Sequence, residues 1–354
     1  MAEVTLEVSM NYCRKYFEEL ETAAKSLDLS EINGKSIVIT GGSGLILSSL
    51  VDILCWANIN LDTNINIYLA ARTENEISER FVEYYGNPWL RYVHYDALKP
   101  VDFGFRTDFI IHGASNAHPA AYATEPVETL LANIIGIKEL LDYAHECRAK
   151  RVLYISSSEV YGKKDDARPY LENDYGFVDI LNPRACYPSG KRASETLCAA
   201  YTQEYGLDTV IVRPGHIYGP TATISDSRAT AQFMRDVLAG NDIVMKSSGT
   251  QLRSYCYSAD CATAILTVML NGKECEAYNI SNRDSVISIR QIAEKIAEVS
   301  GRKVIFEKPS DAEQSSYNMM DNSSLDAEKL EALGWKALYN CENGVKQMYE
   351  IMKG

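Results

Sequence analysis

Histidine is scarce: five residues, none at metal-ligand spacing. The nine cysteines are an odd number, scattered, with no Cys-x-x-Cys pair. That pattern speaks against a zinc site and a disulfide framework; it reads as reduced thiols of a cytoplasmic protein, with no metal expected. No basic stripe interrupts a net charge of -13, so nucleic acid is not expected as the main partner. No apolar run approaches the ~18 residues of a membrane span, and the N-terminus has no apolar signal core. A soluble chain without membrane contact is expected. Repeats and low-complexity tracts are missing too. What remains is 354 residues, enough to bury a large core as one big domain or two tightly joined ones.

The chain begins with Leu6, Met10, Cys13, Phe17, Leu20, Ala24 and Leu27 at helical spacing. This predicts an amphipathic helix docked on the body, with Gly34 as its stop. Ser36 to Thr40 then reads as a short buried strand. It runs into Gly41-Gly42-Ser43-Gly44 and an apolar helix around Leu50, Val51, Ile53 and Leu54. Strand, glycine turn and helix in that order form the context of a dinucleotide-binding fingerprint. Gly41 would permit the tight turn and Gly44 a close approach to a pyrophosphate at the positive end of the helix, beside Ser43, Leu45 and Ile46. The third glycine of the pattern is Leu47 here, which predicts a helix set slightly further from the strand.

Further strands are expected at 65–71, 91–95, 108–112, 151–155 and 209–213, a parallel series whose carboxyl ends face the ligand. No acid closes the second strand to hold an adenosine ribose. Arg72 stands there instead, and a guanidinium can clamp a 2′-phosphate, which leans the cofactor from NAD toward NADP(H). Asp96 with Ala97 ends the third strand as an adenine contact, and His112 ends the fourth as a packed residue. Ala114 and Ser115 would let backbone pass close to the dinucleotide. Asn133, on a long apolar helix at 128–148, is placed to satisfy a buried polar site. The fifth strand opens into Ser156-Ser157-Ser158-Glu159-Val160-Tyr161-Gly162. Next comes Tyr187-x-x-x-Lys191, about one helical turn apart on one face. Tyrosine normally titrates near ~10. Bringing it to about 7 costs roughly 4 kcal/mol, which the Lys191 ammonium and a cationic nicotinamide could supply together.

Gly41-Gly42-Ser43-Gly44, Ser156 to Gly162, Tyr187-x-x-x-Lys191 and Tyr218-Gly219-Pro220 together resemble the extended short-chain dehydrogenase/reductase family, the NAD(P)-dependent nucleotide-sugar epimerase and dehydratase group. The similarity covers about residues 35 to 340. Ser157 to Gly162, Pro183 to Tyr187, Gly190-Lys191-Arg192, Asp226-x-Arg228 and Gln251-x-Arg253 are most similar to UDP-glucuronate decarboxylases. The resemblance implies that Tyr187 takes the proton of the sugar 4-hydroxyl and that Lys191 tunes it and holds the nicotinamide ribose. Ser157 would bond the same sugar oxygen, and Glu159, beside Ser158, would be the acid/base near C5 or C6. Pro214 would contact the cofactor. Ser115, Ala117, His216, Arg228, Gln232 and Arg253 would line the nucleotide-sugar site, the arginines clamping phosphates. Dehydratases carry Asp-Glu where Ser158-Glu159 stands, and a serine is a poor acid, so 4,6-dehydration is not expected; Glu159 also counts against simple 4-epimerisation. Two departures remain. His216 replaces a usual asparagine, and Tyr317 to Asp321 contains no arginine where decarboxylases often have a basic cluster.

The expected architecture is α/β, a Rossmann-type doubly wound parallel sheet with a smaller C-terminal α/β substrate-binding lobe. Residues 1–34 form the helical extension, 35–213 the NAD(P)-binding domain with 251–282 returning to it, and 214–250 with 283–354 the nucleotide-sugar lobe. The expected chemistry is oxidation at C4 by hydride transfer followed by decarboxylation or epimerisation on a UDP- or CDP-linked sugar. The alternative is NADPH-dependent reduction of a nucleotide-linked ketose or ketosugar. The resemblance also implies a homodimer, formed through the helices at 128–148 and 190–205.

Overall fold

The computed structural model of the protein describes residues 12–115, 117, 119–307 and 321–354, and of 119–121 the backbone alone. Strands form at Ser36–Thr40 (β1), Asn66–Ala71 (β2), Leu90–His94 (β3), Phe109–His112 (β4), Arg151–Ile155 (β5) and Thr209–Pro214 (β6). They continue with His216–Tyr218 (β7), Ile243–Met245 (β8), Leu252–Tyr257 (β9), Glu276–Ile280 (β10), Val286–Ser288 (β11), Val304–Phe306 (β12) and Asn322–Ser323 (β13). Seven of them make one sheet in the order β10-β6-β5-β4-β1-β2-β3, with every pair parallel. The chain winds outward from β1 to β3, then returns to the other side of β1 with β4. That reversal opens the crevice beyond the ends of β1 and β4 where ligands of doubly wound sheets bind.

The sheet is buried on both faces because its strands are apolar at successive positions. Ile37 and Ile39 of β1, Ile111 of β4, Leu153 of β5 and Val210 and Val212 of β6 enter one core. Val38, Ile110, Val152, Tyr154 and Ile211, their neighbours in sequence, enter the other. Helices α1 (Arg14–Lys25) and α2 (Leu45–Asn60) lie on the first side. Then come α3 (Glu74–Arg80), α4 (Pro119–Thr124), α5 (Pro126–Cys147), α6 (Cys186–Tyr205), α7 (Ala229–Leu238), α8 (Ser258–Asn271) and α9 (Ile289–Ser300). Residues of α2 and α8 fill the first core, those of α5 and α6 the second. A small sheet of β7, β9, β11 and β13 and the pair β8–β12 build the second layer, packed on α7, α9 and the C-terminal helix Cys341–Lys353.

Helix α2 is buried around nearly its whole circumference, so something must cover the side turned from the sheet. Helix α1 does this with Tyr16, Leu20, Ala23 and Ala24. Its polar contacts are also internal. Tyr16 and Tyr12 donate to Asp52 of α2 at 2.6 and 3.0 Å, and Arg80 of α3 meets the same carboxylate at 2.6 Å. Of the residues expected in the N-terminal helix, Leu6 and Met10 lie outside those described. The helix also ends earlier than Gly34 would have it. Lys25 is its last residue. The Asp28 carboxylate then takes the Ser30 amide at 3.0 Å, starting a 3-10 turn that buries Ile32. Gly34, at φ +70°, serves the turn into β1.

Candidate active site

The turn after β1 is built by sterics. Gly41 sits at φ +75°, and a Cβ there would lie 2.8 Å from the Ala114 amide nitrogen and 2.9 Å from the Gly113 carbonyl carbon. Only glycine holds that conformation at so close an approach to the next strand end. Gly44 is the N-cap of α2, exposed, with no side chain capping the helix. Ser43 and Ile46 are half-buried beside it, and Leu45 is buried, its carbonyl taken by Thr221 at 2.6 Å. An exposed, glycine-capped helix start beside a turn with no room for a Cβ fits the pyrophosphate of a dinucleotide. Leu47, in place of the third glycine, is accommodated from the other side. A Cβ on Gly113 would lie 2.5 Å from the Leu47 Cδ1, so the bulk added on α2 is matched by a glycine at the end of β4.

Beyond β4, Thr40 Oγ1 accepts from the Gly113 and Ala114 amides, both at 3.2 Å. Its hydroxyl proton is therefore left for His112 Nδ1 at 2.7 Å. Burial, then the charge of Lys191, pushes His112 down to about 3, which makes it a neutral packed residue. Ser115 donates to Asn133 Oδ1 at 3.1 Å, and Asn133 donates to the Thr129 carbonyl at 2.7 Å. A Cβ on Gly190 would lie 3.2 Å from the Asn133 Cβ, so this glycine brings α6 against α5. Pro214 is buried at the end of β6.

Tyr187 and Lys191 lie in the first turns of α6, both buried. Lys191 Nζ donates to the Ile155 carbonyl at 2.8 Å and stands 5.7 Å from the centre of the Tyr187 ring. Burial alone lowers Lys191 to about 7, against smaller opposing effects of Glu195 and Cys198. Burial first, and the Glu159 charge second, push Tyr187 up to about 12, while hydrogen bonds with Ser157 and Tyr122 and the charge of Arg228 act to lower it. The Lys191 ammonium, one of the two cations invoked to lower it, is itself weakened by the same burial. Ser157 caps the 3-10 turn Ser158–Tyr161, accepting the Glu159 amide at 3.2 Å. That turn carries half-buried Ser158 and Glu159, whose charge acts on the phenol.

The second layer brings more of the set to the same place. His216 is held down near 3 by burial and then by the charges of Arg253 and Arg228, and Arg228 also acts on Tyr187. Arg228 is paired with Asp226 through Nε at 2.9 Å, and Arg253 is buried on β9, with Nη1 donating to the Leu252 carbonyl at 2.8 Å. The remaining expected residues have these surroundings. Gln232 is exposed and donates to Asp236 on its own helix at 2.8 Å. Arg72 and Ala117 are exposed. Asp96 accepts the Leu98 amide at 3.0 Å, and Ala97 packs against Gly136 of α5. Tyr317 to Met320 lie outside the described residues.

Three participants are new. Arg184 grips Glu159 with both terminal nitrogens at 3.0 Å. Its guanidinium lies 4.5 Å above the Tyr122 ring, and Tyr122 stacks on Tyr187 at 4.7 Å. Arg213, buried, binds Glu195 of α6 at 2.9 and 2.6 Å and donates to the Tyr161 hydroxyl at 3.0 Å, fixing α6 against the 3-10 turn. Arg184 sits within the Pro183-to-Tyr187 run, so its closeness to Tyr187, though not its hold on Glu159, was visible in the sequence; Tyr122, on the short helix α4, gave no signal.

Residues 37–281 match the NAD dependent epimerase/dehydratase family. UDP-glucuronic acid decarboxylase 3 of Arabidopsis thaliana is 30% identical over 318 residues, 89% of this chain and 88% of that protein. UDP-glucuronic acid decarboxylase 1 of Xenopus tropicalis is 29% identical over 322 residues, 90% and 72% of the two chains. Among solved structures, UDP-glucose 4-epimerase of Thermotoga maritima with UDP-glucose superposes with a TM-score of 0.77 at 22% identity, covering 90% of this chain and 98% of the other. A dTDP-glucose 4,6-dehydratase of Streptomyces venezuelae reaches 0.74 at 23%, over 89% and 96%. The glycine turn, the Tyr187/Lys191 helix and these matches lead to one assignment: the chain is an enzyme of the NAD dependent epimerase/dehydratase family.

Proposed function

We propose that the protein converts UDP-glucuronic acid by oxidation at C4, loss of the C6 carboxyl as carbon dioxide and reduction of the resulting ketone. The observation that carries this reading is Glu159, linked to Tyr187 through Arg184 and Tyr122, in a chain 30% identical to a UDP-glucuronic acid decarboxylase over nearly the whole of both. Gly41, Ser43, Gly44, Ile46, Ala114, Asn133 and Lys191 would hold the dinucleotide, read here as NAD; Arg72, exposed beyond β2, is the group that a 2′-phosphate would meet. When bound, the nicotinamide supplies reversible acceptance of the C4 hydride. Tyr187 takes the proton of the 4-hydroxyl and returns it at the end. Ser157 donates to the same oxygen while it carries charge. A ketone at C4 places the C6 carboxylate β to a carbonyl, so the C5–C6 bond breaks with its electron pair drawn toward O4. Glu159 then manages the proton delivered to C5. Arg228 and Arg253, whose charges both reach His216, would face the diphosphate. On this reading the chain also pairs with a second copy through α5 and α6, whose Val127, Leu131 and Tyr205 are exposed.

Incubation with UDP-glucuronic acid should release carbon dioxide and a UDP-pentose, seen by mass spectrometry, with no net change at the nicotinamide absorbance. Tyr187→Phe should keep the bound dinucleotide and lose turnover by about 1,000-fold or more. Nicotinamide consumed in step with product, or a product that keeps its C6 carboxyl, would refute the assignment.

A further inference from the structure

Glu159 has a role in the proposed reaction only if its carboxylate is available, yet both of its oxygens are held by Arg184. The fork that holds them recognises carboxylates in general, and the C6 carboxylate of a uronic acid is the same group with the same two-oxygen geometry. The pair can be reached: the Arg184 and Glu159 side chains are 43% and 30% exposed. It also stands at the reacting centre, since Arg184 lies over Tyr122 and Tyr122 over Tyr187.

The two other arginines near the base are poorly suited to this task. Arg228 is tied to Asp226, which is buried, and letting go would leave that carboxylate uncompensated in the interior. Arg253 is buried on β9 with Nη1 on its neighbour's carbonyl. A uronate also brings a negative charge toward a pocket that already contains Glu159, so it needs a cation close to C6. In sequence, residues 301 to 321 contain Arg302, Lys303 and Lys308, and from Pro309 to Asp321 no lysine or arginine.

We propose that Arg184 exchanges carboxylates: it releases Glu159 to grip the C6 carboxylate of the incoming sugar, and the freed Glu159 becomes the acid/base at C5. This inference rests on the uronate reading above. It makes the sugar's own carboxylate the signal that frees Glu159, so a neutral hexose is bound with Glu159 still locked. Arg184 is then the residue that discriminates uronate from hexose.

Calorimetric binding of UDP-glucuronic acid and UDP-glucose to the dinucleotide-loaded enzyme tests it. The unaltered protein should prefer the uronate. Arg184→Leu should weaken the uronate by about 30-fold or more and UDP-glucose by less than about 3-fold, and Arg184→Lys should recover part of the difference. Glu159→Gln should tighten uronate binding, by about 10-fold, because the competitor for the fork has lost its charge. A fixed structural pair predicts the reverse: Arg184→Leu weakens both sugars alike and Glu159→Gln does not tighten the uronate, and either result overturns the exchange. If Arg184→Leu fails to fold, the sign of the Glu159→Gln change decides alone. An unaltered protein that binds neither sugar instead sinks the underlying assignment, whereas one that decarboxylates UDP-glucuronic acid with Arg184→Leu still discriminating sinks the exchange only.

Discussion

The leucine that replaces the third fingerprint glycine can be tested against the glycine that makes room for it. Leu47 is 3% exposed, and a methyl added at Gly113 would come 2.5 Å from its Cδ1 and 3.2 Å from the Ile155 Cδ1. Gly113 is not among the glycines of positive φ, so Gly113→Ala meets a steric obstacle and no backbone one. Overpacking of this kind costs about 1–3 kcal/mol. Leu47→Ala alone opens a cavity and should cost about 2–4 kcal/mol. Combined, the alanine methyl at 113 enters the space that Leu47 vacates, so the pair should be less damaging than the sum by about 1–2 kcal/mol. Urea unfolding of the four proteins measures this coupling. The same backbone lies under the Gly41 turn, where a Cβ would be 2.9 Å from the Gly113 carbonyl carbon. Gly113→Ala should therefore weaken the dinucleotide, and Leu47→Ala should restore its affinity in the double variant. Energies that add to within about 0.5 kcal/mol would show that Leu47 and Gly113 do not compensate one another.

Two further outcomes follow from buried charges. Burial holds Glu19 up near 8 from an ordinary 4.5, opposed by the hydrogen bond from Tyr257. Its contribution to stability is full below the unfolded value, and is lost as pH rises through the folded one. Glu19→Gln lacks that loss, so relative to the unaltered protein it should gain up to about 5 kcal/mol between pH 4.5 and 9, read by denaturant titration at both ends; a difference flat with pH would contradict it. Glu195→Ala leaves Arg213 buried without its carboxylate and should cost about 3–5 kcal/mol, while an apolar replacement of both partners should recover most of it.

The parts of the site legible in the sequence are those whose partners are close along the chain. The turn at Gly41 to Gly44 needs only a strand before and a helix after it. Tyr187 and Lys191 need only one helical turn between them. Strand positions followed from apolar runs, and they agree with the structure to within a residue at most ends. What stayed hidden depends on distant packing. Nothing local to Glu159 says that Arg184, across the Gly162-to-Asn182 connection, will hold it. Nothing near Leu47 announces Gly113, because the two meet only when β4 is placed beside β1. The end of α1 was misread because Gly34 is an obvious stop, whereas the real one is a serine followed by an aspartate turn. The ionisation of Tyr187 was hidden for a deeper reason: one helical turn brings Lys191 near, but the burial that controls both groups belongs to the whole fold.

That burial sets the electrostatic state of the site. Lowering Tyr187 from about 12 to about 7 requires about 7 kcal/mol. A full ammonium on Lys191, 5.7 Å from the ring centre, is worth about 3 kcal/mol at an effective dielectric of ~20. The balance of about 4 kcal/mol equals one more unit positive charge at ~4 Å in the same medium. Lys191 cannot supply even its own share at neutral pH while burial holds it near 7, so the pair does not become an acid-base couple by itself. The negative charge of Glu159 makes the task harder, being the second cause of the raised phenol. A base that is silent until a cation is brought within about 4 Å is suited to an oxidation that must not begin before the hydride acceptor is in place.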